Sequence, residues 1–229
     1  MTKFSALAAA FWIALSGTAQ AQSQPVVIEL FTSQGCSSCP PADALMHELV
    51  KRDDVLALSM HVDYWDYIGW KDIFASPSNT ARQQSYAKAA GRRSVYTPQM
   101  IVGGVDSVVG THPKDVASLI AKHTAQDKDV SLDVSRDDDM VTIAATAKQA
   151  GQYEVKFVNY RAAQTVEIKR GENAGRTITY VNVVSDFGTI QEWDGSTPLA
   201  ISAQVGTGPA AILIQRANHG AIEAAATIN

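Results

Sequence analysis

The stretch Val26-Val27-Ile28-Glu29-Leu30-Phe31-Thr32-Ser33-Gln34-Gly35-Cys36-Ser37-Ser38-Cys39-Pro40-Pro41-Ala42-Asp43-Ala44-Leu45-Met46 decides the fold, and it holds both cysteines of a 229-residue chain. Val26–Phe31 is an apolar run of strand length. From Pro40 the pattern turns helical, with Leu45, Met46, Leu49 and Val50 on one face. The order is buried strand, short loop, Cys-x-x-Cys, helix. A lone cysteine pair at this spacing and in this setting points to one disulfide that opens and closes. Cys36 is expected at or just before the helix N-terminus. Unpaired N–H groups and the helix dipole there favour the thiolate, the species that attacks disulfides.

Toward the N-terminus, Lys3 precedes an apolar core, Phe4 to Leu15, and Ala19-Gln20-Ala21 is a small-x-small cleavage site. Residues 1–21 therefore read as a secretory signal peptide, with a mature start near Gln22. The apolar stretch is too short to span a membrane, and no later one is longer; an uncleaved N-terminal anchor is the alternative. Export to a periplasm or the cell exterior places the cysteines where disulfides persist. The formal charge is −4. Removing the leader takes away one lysine and no acid, so the mature chain is slightly more acidic. That balance argues against nucleic acid, which needs a concentrated basic face. Two cysteines cannot staple a small fold, so the core must hold it by burial.

Toward the C-terminus, Val55–Val62 reads as a second strand, parallel to the first through a right-handed crossover. Ser76-Pro77 starts a helix that Gly91 stops. Met100–Val102, a Gly103-Gly104 turn and Ser107–Val109 form a hairpin, and Pro113 opens a helix to about His123. The texture changes near residues 124–129. Beyond it come short alternating strands: Val130–Val134, Met140–Ala147, Tyr153–Tyr160, Thr165–Ile168, Thr177–Val184, Ile190–Trp193, Leu199–Ala203, Ala210–Arg216 and a last one near Ala221–Thr227. Gly171-Glu172-Asn173-Ala174-Gly175 is a hairpin loop by composition. The expectation is an α/β first domain at 22–125, with mixed sheet and flanking helices, and an all-β sandwich-like domain at 126–229.

The first half resembles the thioredoxin fold: strand, Cys-x-x-Cys loop, helix, strand, connecting helix, Thr97-Pro98, hairpin, final helix. It departs in its Ser37-Ser38 dipeptide and in an insertion at about 64–92. Those features, with Glu29-Leu30-Phe31-Thr32-Ser33-Gln34-Gly35-Cys36-Ser37-Ser38-Cys39-Pro40-Pro41 and His61-Val62-Asp63-Tyr64-Trp65-Asp66, resemble a secreted thioredoxin-like family catalogued as domain of unknown function 1223. The resemblance implies a cis Thr97–Pro98 bond facing the cysteines, with Thr97 offering backbone groups to a substrate strand and Pro98 blocking metal capture. Without it, Pro98 reads as a turn proline opening an edge strand.

Three chemistries fit the cysteines. A static disulfide is a poor staple, because a Cys-x-x-Cys ring removes little unfolded-state entropy. Two thiolates with a histidine suit copper(I), and with two histidines zinc; His61, ending the second strand beside the Cys loop, is the best third ligand. Dithiol–disulfide exchange is the preferred reading, with Cys36 attacking and Cys39 resolving. Glu29 is the sole charge in a strand expected to be covered on both faces. An isolated buried carboxylate has a raised pKa and would relay a proton to Cys39; the alternative is a structurally hydrogen-bonded glutamate. Tyr64, Trp65 and Trp70 follow the second strand and read either as a binding wall for a partner chain or as packing for the insertion itself. His47 and His112 read as surface histidines, and Arg92-Arg93 as a solvated pair.

The sequence thus points to an exported thiol–disulfide oxidoreductase with no cofactor, acting on protein thiols or disulfides and served by a membrane redox partner. The alternatives are a periplasmic copper(I)-binding or copper-delivery protein using Cys36, Cys39 and His61, and a noncatalytic binding module.

Overall fold

The computed structural model describes residues 24–228. The expected leader, residues 1–21, lies outside the described residues. The chain runs β1 (Val26–Thr32), α1 (Pro40–Leu49), β2 (Val55–His61), α2 (Pro77–Ala89), β3 (Gln99–Val102), β4 (Asp106–Val109), α3 (Pro113–Thr124), β5 (Val130–Asp137), β6 (Met140–Ala147), β7 (Tyr153–Glu167), β8 (Thr177–Trp193), β9 (Leu199–Gln204), β10 (Ala210–Arg216) and β11 (Ile222–Ile228). A single 3₁₀ turn, Asp66–Ile68, interrupts the segment between β2 and α2. No helix among the described residues is long and apolar enough to cross a membrane.

Every residue of β1 and of β2 is buried, which fits their mostly apolar runs, and Glu29, Thr32, Ser59 and His61 are buried with them. They pair in parallel, Val26 opposite Val55 through Thr32 opposite His61, and β3 pairs antiparallel on the other side of β1. Ala42, Met46 and Leu49 of α1 pack on Val26, Ile28 and Leu30, with α3 adding Val116 and Ile120. On the opposite face, Val27 and Phe31 meet Tyr86 of α2. α2 starts where Ser76 caps it, its hydroxyl accepting the Ser78 N–H, with Pro77 in the first turn.

The molecule is mixed α/β, with one mixed sheet of order β11-β10-β7-β8-β2-β1-β3-β4 and a second, three-stranded sheet of order β5-β6-β9. The small sheet covers β7, β10 and β11 through Val141, Ile143, Leu199, Tyr153, Val155 and Ile212. The large sheet crosses the expected boundary between α3 and β5. The link is slight: one parallel bridge, Ser59 to Val183. Two side chains reinforce it, Ser59 Oγ donating to Val181 O at 2.7 Å and Asn182 Nδ2 to Ala57 O at 2.9 Å.

The second half differs from the expected run of short strands in one respect. Tyr153–Tyr160 and Thr165–Ile168 fuse into the 15-residue β7, and Thr177–Val184 and Ile190–Trp193 into the 17-residue β8. Register shifts at Val155/Lys156 and Asn159/Tyr160 break the alternation without ending the pairing. The result is one long hairpin whose tip, residues 168–176, reaches back to the cysteine loop.

Candidate functional site

Cys36 and Cys39 are joined in a disulfide with their Cα atoms 5.4 Å apart. Two turns shape the loop: Cys36 N–H donates to Ser33 O at 3.1 Å and Cys39 N–H to Cys36 O at 3.2 Å. Cys39, not Cys36, occupies the N-cap of α1, with Pro40 in its first turn. Cys36 stands a full turn ahead, its Sγ 3.4 Å from Ser38 Oγ. Ser37 and Ser38 are exposed. Cys36 is only 1% exposed and Cys39 0%, because other segments cover them.

Three segments grip the loop. The first is the one after β2. A Cβ on Gly35 would lie 3.2 Å from Trp65 Cβ and from Trp65 O, so glycine lets this segment lie against the loop. Trp70 Nε1 donates to Gln34 Oε1 at 2.7 Å, and Gln34 N–H to Asp72 Oδ2 at 2.8 Å. The second is the turn before β3. The Thr97–Pro98 bond is cis, and Trp65 Nε1 donates to Thr97 Oγ1 at 2.7 Å. Gly110 N–H donates to Pro98 O at 3.0 Å. A Cβ on Gly110 would meet Ala42 Cβ at 2.9 Å and Pro98 Cβ at 3.4 Å, which places Pro98 against the first turn of α1. The third is the tip of the β7–β8 hairpin. Asn173 Nδ2 donates to both Gln34 O and Cys36 O, each at 2.9 Å, and Ser37 N–H donates to Glu172 Oε2 at 3.3 Å.

Behind the loop lies a buried polar group. His61 Nδ1 pairs with Asp72 Oδ2 at 2.6 Å, and Thr32 Oγ1 donates to Asp43 Oδ1 at 2.8 Å. The Tyr180 ring of β8 meets the His61 imidazole edge-on, centroids 4.7 Å apart. Burial lifts the Asp43 carboxyl from 3.8 to about 7, against the pull of His61 and the Thr32 hydroxyl, with Asp72 adding to the rise. Burial, then Asp43 and Asp72, push the Tyr180 hydroxyl well above its ordinary range.

Several expected site residues sit elsewhere. Glu29 shares the face of Val27 and Phe31, away from α1. Arg82 of α2 donates to it at 2.6 and 3.1 Å, and Tyr86 Oη at 2.5 Å. It is therefore a paired carboxylate, not an isolated one aimed at Cys39. Burial alone would lower the Arg82 guanidinium, but Glu29, Tyr86 and Glu154 together outweigh that and raise it. Tyr64 packs on the core that holds Phe31 and Tyr86, its Oη donating to Gln83 Oε1 at 3.2 Å; Trp65 packs on the same core but stays against the cysteine loop. Their neighbour Tyr67 is 81% exposed. With Cys36 and Cys39 joined as a disulfide, no group of three or more His, Cys, Asp or Glu side chains among the described residues is placed to hold a metal ion. His47 is not a free surface histidine: its Nε2 meets Thr179 O at 2.8 Å and ties α1 to β8. His112 lies at the surface, 3.4 Å from Asp115.

Sequence reading missed Gln34, Asp43, Asp72, Asn173 and Tyr180. Only Asp43 had a local signal, as the lone acid in the apolar first turns of α1. Asn173 and Tyr180 come from a hairpin more than 130 positions away.

A family described as "protein of unknown function (DUF1223)" matches residues 27–215. A crystal structure of a protein from Agrobacterium tumefaciens is 36% identical, with 89% of this chain and 93% of that chain covered, at a TM-score of 0.77. HBP35 of Porphyromonas gingivalis shares the fold at 12% identity and a TM-score of 0.62, with 90% of this chain and 75% of that chain covered. No curated protein matches the chain.

Proposed function

Since the chain belongs to the family of unknown function DUF1223, whose description carries no activity, we propose from the site itself that it is an exported thiol–disulfide oxidoreductase with a thioredoxin-like first half. One observation carries this reading: a Cys36–Cys39 disulfide at the start of α1, with Pro98 beside the same helix turn. A ring this short contributes little as a staple, and three segments converge on it. Such investment fits a bond that is made and broken.

In the reduced protein, the Cys36 thiolate attacks a disulfide of a protein substrate. One substrate sulfur leaves as a thiolate, and Cys36 is held in a mixed disulfide. Cys39 loses its proton and attacks Cys36 Sγ. The second substrate sulfur departs, and the Cys36–Cys39 bond closes. Two electrons pass to the substrate, and the reverse sequence oxidises a dithiol. Ser38 Oγ, 3.4 Å from Cys36 Sγ, is a ready donor to the Cys36 thiolate. Partners are then protein thiols or disulfides and a membrane redox protein, in a periplasm or outside the cell.

The test is mixed-disulfide trapping. Cys39→Ser should accumulate adducts through Cys36, Cys36→Ser should accumulate none, and the wild type should reduce insulin in the presence of dithiothreitol. Equal trapping by both variants, or none by either, would overturn the assignment.

A further inference from the structure

A pocket of about 310 Å³ opens between the C-terminal half of α2, the β3–β4 hairpin and the β10–β11 turn. None of its lining residues belongs to the cysteine loop or to the segments that grip it. Its volume stands at the lower end of the range for small-molecule sites, about 300–1,000 Å³. Tyr86, Ala87 and Ile101, each buried, form an apolar floor. Val105, one of the few large apolar side chains exposed among the described residues, is 50% exposed at the rim. The walls are fixed. A Cβ on Gly104 would lie 2.7 Å from Gly220 O, so glycine lets the two turns touch. Ile222 N–H donates to Gly103 O at 2.9 Å, and Gln215 Nε2 to Gly220 O at 2.8 Å.

The polar lining is made of donors. Gln99 is 3% exposed. Tyr64 Oη donates to Gln83 Oε1, and Gln83 Nε2 donates to Gln99 Oε1 at 2.8 Å. That chain orients the Gln99 amide, with its oxygen taken and its two N–H donors left without a protein partner among the described residues. Buried donors of this kind are met by water or by a ligand. Arg92 lies at the rim, where its guanidinium meets the Ser107 hydroxyl and no carboxylate among the described residues. No acidic side chain lines the pocket, in a chain whose net charge is −4. The nearby Asp106 is held by Lys122 and His123, and Glu29 by Arg82 and Tyr86. The His219 imidazole stands edge-on to the Tyr86 ring, centroids 5.3 Å apart. Burial, then Arg82 and Lys156, lower its pKa, so it adds a neutral ring and not a second charge. Asn218 and His219 hold left-handed backbones, φ 60° and 59°, which glycine would take without strain. Side chains kept at such positions mark sites with a use for them.

We propose that this pocket binds a small organic carboxylate, whose apolar body lies on Tyr86, Ala87 and Ile101 and whose charged end is held by Arg92, with the Gln99 amide and the Ser107 hydroxyl as further donors. The site stands apart from the disulfide chemistry and does not depend on it. A lone cation facing donors, with no competing acid, selects an anion. The apolar floor and the volume call for more than an inorganic ion, since a bare sulfate or phosphate would leave Ala87 and Ile101 without contact. The pocket also gives the C-terminal half a role in recognition, because the β10–β11 turn supplies its third wall.

The experiment follows the Ala87 and Ile101 methyl signals and the Gln99 side-chain amide by NMR while benzoate, hexanoate, benzamide or sulfate is added to the wild-type protein at constant ionic strength. We expect saturable shifts at all three residues with benzoate and hexanoate, and none with sulfate. Benzamide, which has the same body without the charge, should bind about tenfold more weakly or worse. Arg92→Gln should weaken benzoate by a similar factor, and Arg92→Lys should recover part of it. Arg92 is exposed, so both variants are expected to fold, and thermal unfolding checks that they do. Absence of saturable shifts with either carboxylate would overturn the proposal, as would benzamide binding equal to benzoate or an affinity unchanged in Arg92→Gln. Shifts with sulfate alone would overturn it too, since they would show an anion site without the apolar floor.

Discussion

Asn173 Nδ2 donates to the carbonyl oxygen of Cys36 at 2.9 Å across 137 positions of chain, and to Gln34 O at the same distance. One amide from the C-terminal half thus secures two carbonyls of the cysteine loop. Its burial makes each bond count, since an unmet buried carbonyl costs about 1–3 kcal/mol.

Asn173→Ala is expected to lower stability by roughly that amount and to speed reduction of Cys36–Cys39 by dithiothreitol severalfold, because the hairpin tip no longer holds the loop. Urea unfolding and a stopped-flow thiol assay measure the two effects. Lost stability with an unchanged reduction rate would show that the tip does not limit access.

The Asp43 carboxyl sets a pH dependence whose sign follows from its raised value of about 7 against 3.8. Between those values the folded protein binds a proton that the unfolded chain does not. Stability therefore falls as pH rises through this window. At about 1.4 kcal/mol per unit, the loss is roughly 4 kcal/mol at most. Asp43→Asn abolishes it, so urea unfolding of the oxidised proteins should show the variant gaining on wild type from about pH 4 to about pH 7, then a constant gap. A gap independent of pH would refute the prediction.

Glu29 and Arg82 form a buried pair, 2.6 Å apart, with side chains 0% and 6% exposed. Removing one charge strands the other, at a cost of about 3–5 kcal/mol. Arg82→Met should show that loss in thermal unfolding, and Glu29→Gln/Arg82→Met should recover part of it. Glu29→Gln should leave the pH profile of disulfide exchange unmoved. A shifted profile would return Glu29 to the proton path.

Gly110 admits no larger residue, since its Cβ would lie 2.9 Å from Ala42 Cβ. Gly110→Ala should cost about 1–3 kcal/mol by overpacking, and Ala42→Gly in the same chain should restore part of it. Additive losses in the double variant would mean that the strain is released elsewhere.

Much of the first half was legible because its signals are local. The apolar runs at Val26 and Val55, Pro at the helix starts and the Gly103-Gly104 turn each mark an element with a near neighbour. The oddness of Glu29 was legible too, but not its partners, since Arg82 and Tyr86 lie on another helix. Asp43 was hidden in plain view, because an acid in a helix's first turns reads as an ordinary complement to the dipole. The continuity of the large sheet left no mark: it depends on one bridge at Ser59 and on bulges that let β7 and β8 run on through polar, half-exposed stretches. Asn173 looked like a loop residue by composition, and its buried bonds to Gln34 and Cys36 depend wholly on where the hairpin tip lands.

The distance between Cys36 and Asn173 in the chain also orders events in time. Synthesis proceeds from the N-terminus, and contacts so far apart close late. The strand, loop and helix that carry the cysteines exist before the hairpin that covers them. Each new molecule therefore passes through an interval in which the pair lies open to whatever oxidant or reductant surrounds it. Once the hairpin tip arrives, its bonds to Gln34 and Cys36 stand between the pair and any partner.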